Sequence, residues 1–131
     1  MIIPELLVSK LKNNLAVIDA DQMMQVMTNL EKNAIEAMPG GGELIVSVEG
    51  KEHEYTFIVR DTGHGIRKEH IEKLFTPFFT TKEMGKGTGL GLALIYGIVK
   101  MHKGKIHVES NADPLAGATG TTFRITLPRR P

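Results

Sequence analysis

The stretch Tyr55-Thr-Phe-Ile-Val-Arg-Asp61-Thr-Gly-His-Gly65 decides the fold, because it joins a strand to a glycine-rich loop through one acidic residue. Apolar side chains alternate with others at positions 55, 57 and 59, as expected for a strand with one buried face. The same alternation occupies residues 44–48, and residues 49–52 supply a turn between the two runs. The pattern predicts an antiparallel hairpin whose second strand ends at Arg60, directly before Asp61.

Helical patterns precede and follow this hairpin. Residues 22–38 carry apolar residues at a helical spacing, with Asn29 and Asn33 on another face, and Pro39 ends the run. The other predicted elements are helices at residues 67–74 and 90–101, strands at residues 15–18, 105–110 and 121–127, and a loop at residues 76–88. This order favours an α+β fold, a two-layer α/β sandwich in which helices cover one face of a mixed, mostly antiparallel sheet.

The composition restricts the classes of function. The chain of 131 residues is 41% hydrophobic and 24% charged, which is typical of a single domain spanning residues 1–131. The absence of cysteine excludes a thiol nucleophile, a disulfide scaffold and cysteine-based metal sites. A net charge of +1 argues against nucleic acid or an anionic membrane as the main partner. The longest apolar run is shorter than the roughly 18 residues that cross a bilayer, and the first residues lack the core of an export signal.

The first element that could carry chemistry is the pair Asn29 and Asn33. Residues four apart are neighbours on one helical face, so two amide oxygens could ligate a hard cation such as Mg²⁺. The alternative is that both are solvated surface residues, as most asparagines are.

The second element is Asp61 with the glycines that follow it. Its carboxylate can accept a hydrogen bond from an exocyclic amine, while Gly63 and Gly65 let backbone approach a flat ring. This chemistry favours adenine over guanine. The alternative is an ordinary turn between a strand and a helix.

The third element is the glycine run Gly87-Thr-Gly-Leu-Gly91, which precedes a helix whose free N–H groups and dipole would favour a phosphate chain. Thr88 adds a hydroxyl group, and Lys82 and Lys86 could reach a phosphate, with Lys82 the better candidate. The alternative is a flexible loop with a tight helix contact. A P-loop and a dinucleotide fingerprint are excluded, because no Gly-Lys pair precedes Ser or Thr and no glycine set fits G-x-G-x-x-G.

Together these segments resemble the ATP-binding catalytic domain of sensor histidine kinases, in the superfamily that also holds gyrase and MutL-type ATPases. The resemblance covers residues 15–128 and implies a Bergerat-type ATP-binding fold. Four segments carry it in the family's order: Asn29-Leu-Glu-Lys-Asn33-Ala-Ile-Glu-Ala resembles the N box, Asp61-Thr-Gly-His-Gly65 the G1 box, Phe75-Thr-Pro-Phe-Phe-Thr-Thr-Lys82 the F box, and Gly87-Thr-Gly-Leu-Gly-Leu92 the G2 box.

The resemblance also implies roles for individual residues. Asn33, with Asn29, would hold Mg²⁺ on the phosphates, and these two residues with Lys82 would form the catalytic group. Asp61 would read the adenine amino group, Thr122 would support the base through water, and residues 80–91 would form the ATP lid. The implied nucleotide contacts are Lys32, Asn33, Asp61, Gly63, Gly65, Ile66, Lys82, Lys86, Gly87, Thr88, Gly89, Leu90, Gly91, Leu92 and Thr122.

One position indicates the type of reaction. Relatives that hydrolyse ATP carry a glutamate as general base four residues before the magnesium asparagine, and here that position is Asn29, which cannot take a proton. The resemblance therefore implies transfer of phosphate from ATP to a histidine on a separate, upstream dimerisation domain, which then serves a response regulator. The alternatives are a stand-alone serine kinase of the anti-sigma type and a catalytically idle module whose partner binding depends on the nucleotide.

The resemblance implies a phosphate-accepting histidine in a His-Glu-x-x-x-Pro or Asn setting, and the chain has no such site: His53 precedes Glu54 but lies in a predicted strand, with Phe57 at the fourth following position. We therefore expect a fragment of a longer kinase that is monomeric and unable to phosphorylate itself. We also expect a cytoplasmic domain, whether or not the parent kinase is anchored in a membrane.

Overall fold

The computed structural model describes residues 20–76 and 91–128. Its helices and strands, in chain order, are α1 (Ala20–Glu36), β1 (Leu44–Gly50), β2 (Glu54–Asp61), α2 (Lys68–Ile71), α3 (Gly91–Met101), β3 (Lys105–Asn111) and β4 (Gly120–Pro128). The strand predicted at residues 15–18 lies outside the described residues, as does the predicted loop at residues 76–88 beyond Thr76. None of the helices in the described ranges is long and apolar enough to cross a membrane.

Within these ranges the four strands form one sheet in the order β1-β2-β4-β3. Val46 of β1 pairs with Val59 of β2, and Phe57 of β2 pairs with Ile125 of β4. The chain leaves the sheet after β2, passes through α2 and α3, and returns at the far edge before β4 fills the gap. Every described pairing is antiparallel, and the predicted α+β two-layer architecture is confirmed.

The core lies between one face of the sheet and helices α1 and α3. Its buried apolar side chains are Met23, Val26, Met27, Leu30, Tyr55, Phe57, Val59, Ile95, Ile98, Val99, Phe123, Ile125 and Leu127. Burial alternates along β2 and β4, as it must when successive side chains point to opposite faces of a sheet. Asp61 continues the buried series of β2 at its last residue, so it points to the helix side.

Helix α1 ends at Glu36, two residues earlier than predicted. Pro39 disfavours helical conformation at the residue before it. After Glu36 the backbone follows a tighter turn, in which the N–H of Met38 donates to the carbonyl oxygen of Ile35, three residues earlier, at 3.1 Å. The predicted apolar stripe of α1 nevertheless faces the core.

Helix α2 is also shorter than predicted. It covers Lys68–Ile71, and the following residues continue as tight turns, with the N–H of Lys73 donating to the carbonyl oxygen of His70 at 3.0 Å. The predicted bounds of α3, β3 and β4 agree with the structure to within one residue.

The substitutions Ile125→Ala and Ile45→Ala make the same chemical change on opposite faces of the sheet. Ile125 is 0% exposed, whereas Ile45 is 44% exposed. We expect Ile125→Ala to lower the free energy of unfolding by about 2–5 kcal/mol, because it empties a buried site, and Ile45→Ala by less than about 1 kcal/mol. Urea unfolding at equilibrium measures both values, and equal losses would contradict the assigned core.

Candidate nucleotide site

Asp61 is a buried acid at the end of β2, with 6% of its surface exposed. The backbone N–H of Gly63 donates to its Oδ1 atom at 2.8 Å, so the loop after the strand holds one carboxylate oxygen. Burial raises the pKa of Asp61 above its ordinary value, and the N–H groups of Gly63 and Thr121 and the nearby His64 offset part of this rise. A carboxylate has more acceptor positions than these donors fill, so it can accept a further N–H from a ligand.

Gly63 and Gly65 let the loop after β2 pass close to the backbone of neighbouring segments. A Cβ atom on Gly63 would overlap the carbonyl oxygen of Ala37, and one on Gly65 would overlap the carbonyl oxygen of Asn111. Gly65 also has a φ of +77°, in the left-handed region that other residues rarely adopt. This path requires glycine at both positions, which accounts for the Asp-x-Gly-x-Gly spacing.

The loop that carries Asp61 is fastened to the connection between α1 and β1. The backbone N–H of His64 donates to the carbonyl oxygen of Ala37 at 3.0 Å. The hydroxyl group of Thr62 accepts the backbone N–H of Glu43 at 2.9 Å. These bonds fix the loop relative to the end of helix α1.

Asn29 and Asn33 are half-buried on the same face of α1, and Lys32 between them is exposed. One further step of four residues along this face reaches Ala37. The Cβ atom of Ala37 lies 2.7 Å from the place that a Cβ on Gly63 would take. The helix face that carries the two amides therefore runs toward the loop that carries Asp61.

The residue beside Asp61 in β4 is Thr121, whereas we predicted a role for Thr122. Thr121 is the strand partner of Asp61 and is 4% exposed. Thr122 pairs with Arg60 and lies on the opposite face of the sheet, because side chains alternate along a strand. We therefore transfer the predicted role to Thr121. The signal was in the sequence, since the apolar residues at 123, 125 and 127 place position 121 on the buried face.

Sequence reasoning also missed Ser110 at the end of β3. Its hydroxyl group accepts the backbone N–H of Ile66, a predicted site residue, at 2.7 Å. Ser110 pairs with Thr121 across the strands, and their hydroxyl oxygens are 2.8 Å apart. Asp61, Thr121 and Ser110 thus form one row across three neighbouring strands.

Most residues predicted to contact phosphate lie outside the described ranges: Lys82, Lys86, Gly87, Thr88, Gly89 and Leu90. The structure does describe the beginning of the helix that follows them. Gly91 is the first residue of α3, and Leu92 packs against the core. Phe75, which opens the segment that resembles the F box, stacks on Tyr96 of α3 with ring centroids 5.4 Å apart.

Comparison with protein families matches residues 18–131 to the family described as histidine kinase-, DNA gyrase B-, and HSP90-like ATPase. The sensor kinase CckA of Brucella abortus is 44% identical over 126 residues, a match that covers 85% of this chain and 13% of the kinase. Sporulation kinase A of Bacillus subtilis is 41% identical over 112 residues, which cover 86% of this chain and 17% of the kinase. The chain thus spans less than a fifth of the length of these two curated relatives.

Solved structures show the same similarity. The mycobacterial sensor histidine kinase MprB superposes with a TM-score of 0.76 at 31% identity, covering 88% of this chain and 78% of that one. The catalytic domain of histidine kinase ThkA superposes with a TM-score of 0.73 at 35% identity, covering 87% of this chain and 71% of that one.

The pH dependence of stability tests the environment of Asp61. Its pKa is higher in the folded protein than in the unfolded chain, so the folded protein binds this proton more tightly. The stabilisation is therefore fully present below the unfolded pKa and is lost as the pH rises through the folded pKa. We expect the free energy of unfolding of the wild type, relative to Asp61→Asn, to fall over this window as the pH is raised.

Urea unfolding of both proteins from about pH 3 to about pH 8 measures this difference. The variant Asp21→Asn is a matched control, because Asp21 is exposed in the first turn of α1. A difference that rises with pH at Asp61 would contradict a pKa raised by burial.

Proposed function

The chain belongs to the family of histidine kinase-, DNA gyrase B- and HSP90-like ATPases, and within it to the catalytic domains of histidine kinases. From this premise we propose that it binds Mg²⁺-ATP and donates the γ-phosphate to a histidine on a separate dimerisation domain. Such a transfer is the first step of two-component signal transduction.

The observation that carries the proposal is the buried carboxylate of Asp61. It lies at the end of a strand on the helix side, with a backbone N–H holding one oxygen and with lone pairs left for a ligand. The 6-amino group of adenine donates N–H to such an acceptor. Guanine presents a carbonyl oxygen at the same place, which a carboxylate repels, so this site favours ATP over GTP.

The two asparagines of α1 fit a magnesium ion on the phosphates. Their amide oxygens are hard ligands of the kind that Mg²⁺ accepts, and Mg²⁺ usually keeps several waters and binds phosphate oxygens as well. Residues 20–76 and 91–128 contain no group of three His, Asp or Glu side chains that could hold a metal. The proposed ion would be shared between Asn33, Asn29, water and nucleotide. When bound, Mg²⁺ would neutralise the charge of the phosphate chain.

The remaining contacts follow the order of the motifs. Gly63, Gly65 and Ile66 would shape the pocket for the base, with Thr121 in the role first given to Thr122. Lys32 lies on the same helix as the asparagines and would approach the phosphates. The proposed lid, residues 80–91, would supply Lys82, Lys86, Gly87, Thr88, Gly89, Leu90 and Gly91, and Leu92 would anchor its end on the core.

The proposed reaction depends on how this chain positions the phosphates of ATP, and it does not require a general base from this chain. Transfer breaks the bond between the γ-phosphorus and the oxygen that bridges to the β-phosphate, and it forms a bond to a histidine nitrogen of the partner domain. Asn29 cannot activate water, because an amide does not accept a proton at neutral pH. The chain therefore favours transfer to a protein side chain over hydrolysis.

The proposed partners are the upstream histidine-bearing domain of the parent kinase and a response regulator receiver domain. The two curated relatives, a sensor kinase and a sporulation kinase, are several times longer than this chain, which is consistent with such partners. The proposed location is the cytoplasm, where ATP is available.

Calorimetric titration with ATP and with GTP, each with and without Mg²⁺, tests the binding site. We expect selective binding of ATP, which Asp61→Asn weakens roughly tenfold or more because one charged acceptor is lost. We expect Asn33→Ala to reduce the gain in affinity that Mg²⁺ provides, whereas Gln25→Ala, an exposed position on the same helix, should leave it unchanged. Folded protein that binds neither nucleotide would contradict the proposal and favour the idle module.

The rate of ATP hydrolysis tests the role of Asn29. We expect the wild type to hydrolyse ATP close to the background rate, because Asn29 cannot act as a general base. The substitution Asn29→Glu should raise this rate by introducing one, and the control Asn29→Gln should not. A coupled assay for released phosphate measures all three proteins, and rapid hydrolysis by the wild type would overturn the proposed assignment.

A further inference from the structure

The hydroxyl group of Ser110 takes part in three hydrogen bonds among the described residues. It accepts the backbone N–H of Ile66 at 2.7 Å and donates to the carbonyl oxygen of Gly120 at 2.9 Å. Its oxygen also lies 2.8 Å from the hydroxyl oxygen of Thr121. Ser110 therefore joins the loop after Asp61 to the first residues of β4.

A count of protons fixes the direction of the third bond. A serine hydroxyl has one proton and two lone pairs. The proton goes to the carbonyl oxygen of Gly120, which can only accept, and one lone pair takes the N–H of Ile66. The remaining lone pair must accept the proton of Thr121. Thr121 then has no hydroxyl proton left for Asp61, its neighbour across the strand pair.

We propose that Ser110 is a positioning residue for recognition of the adenine amino group, acting through the hydroxyl group of Thr121. By accepting the proton of Thr121, Ser110 keeps that proton away from the Asp61 carboxylate. The carboxylate then remains open to the amino group of the ligand, or to a water that the base holds. This inference rests on the proposed function, since it concerns how the same site selects its base.

Removal of the Ser110 hydroxyl has a specific consequence. Side chains directly opposite each other on neighbouring strands are close enough to interact, and Thr121 is opposite both Ser110 and Asp61. Without Ser110, Thr121 is free to turn its proton toward the carboxylate and compete with the amino group. A role limited to packing would weaken every nucleotide alike, whereas this role weakens those that carry the amino group.

The test compares ATP with purine riboside triphosphate, which lacks the 6-amino group and is otherwise the same molecule. Calorimetry gives the dissociation constants of both nucleotides on one preparation, so their ratio is insensitive to a partial loss of folded protein. We expect Ser110→Ala to reduce the preference for ATP roughly fivefold, the effect of about one neutral hydrogen bond. Ser110→Thr, which keeps the hydroxyl group, should retain the preference of the wild type.

A double-mutant cycle with Thr121→Val separates the proposed route from a direct effect. If Ser110 acts through Thr121, Ser110→Ala should not change the preference further in the Thr121→Val background. A wild type that prefers ATP together with an unchanged preference in Ser110→Ala would overturn this inference alone. Equal weakening of both nucleotides in that variant would also overturn it. Failure of both nucleotides to bind the folded wild type would overturn the proposed function, and this inference with it.

Discussion

The buried carboxylate of Asp61 is the constraint on which the rest of the site depends. A charged group at this depth is unfavourable unless N–H donors surround it. The turn after β2 places the N–H of Gly63 2.8 Å from one carboxylate oxygen, and β4 contributes the N–H of Thr121. Burial still raises the pKa of Asp61, so the protein's own donors compensate the charge in part. A ligand that donates a further N–H to this carboxylate would compensate more of its charge.

The path of the loop around Asp61 depends on its neighbours as much as on its own residues. Gly63 passes against Ala37 at the end of α1, and Gly65 passes against Asn111 at the end of β3. The loop after Asp61 therefore packs between the end of α1 and the end of β3. Helix α1 also carries Asn29 and Asn33, which we propose hold the metal. The same helix therefore supports the metal ligands and the loop after Asp61, the residue that we propose reads the base. The residues proposed to contact the two halves of a bound nucleotide would thus share one supporting helix, which carries the asparagines and packs against the loop after Asp61.

The sequence predicts the parts of this structure that depend on local patterns. Alternating apolar residues predict the hairpin that leads to Asp61, and helical spacing predicts α1, which ends two residues earlier than its pattern because of Pro39. Strand register decides that Thr121, and not Thr122, lies beside Asp61. The alternation at Phe123 and Ile125 indicates this register, but a resemblance between motifs does not take it into account. Ser110 could not be found from local pattern, because its role arises from one loop and two strands that meet in space.

The row Asp61, Thr121 and Ser110 lies where the apolar face of the sheet ends. The next row along the same face is Val59, Phe123 and Val108, and those side chains belong to the core or pack against it. Apolar residues at the last row would extend the core, but they would remove the buried acceptors that we propose distinguish one base from another. The polar row therefore lowers the hydrophobic stabilisation available to the fold in exchange for the proposed selectivity. The buried apolar rows behind it support its hydrogen bonds in one geometry, which the proposed selectivity would require.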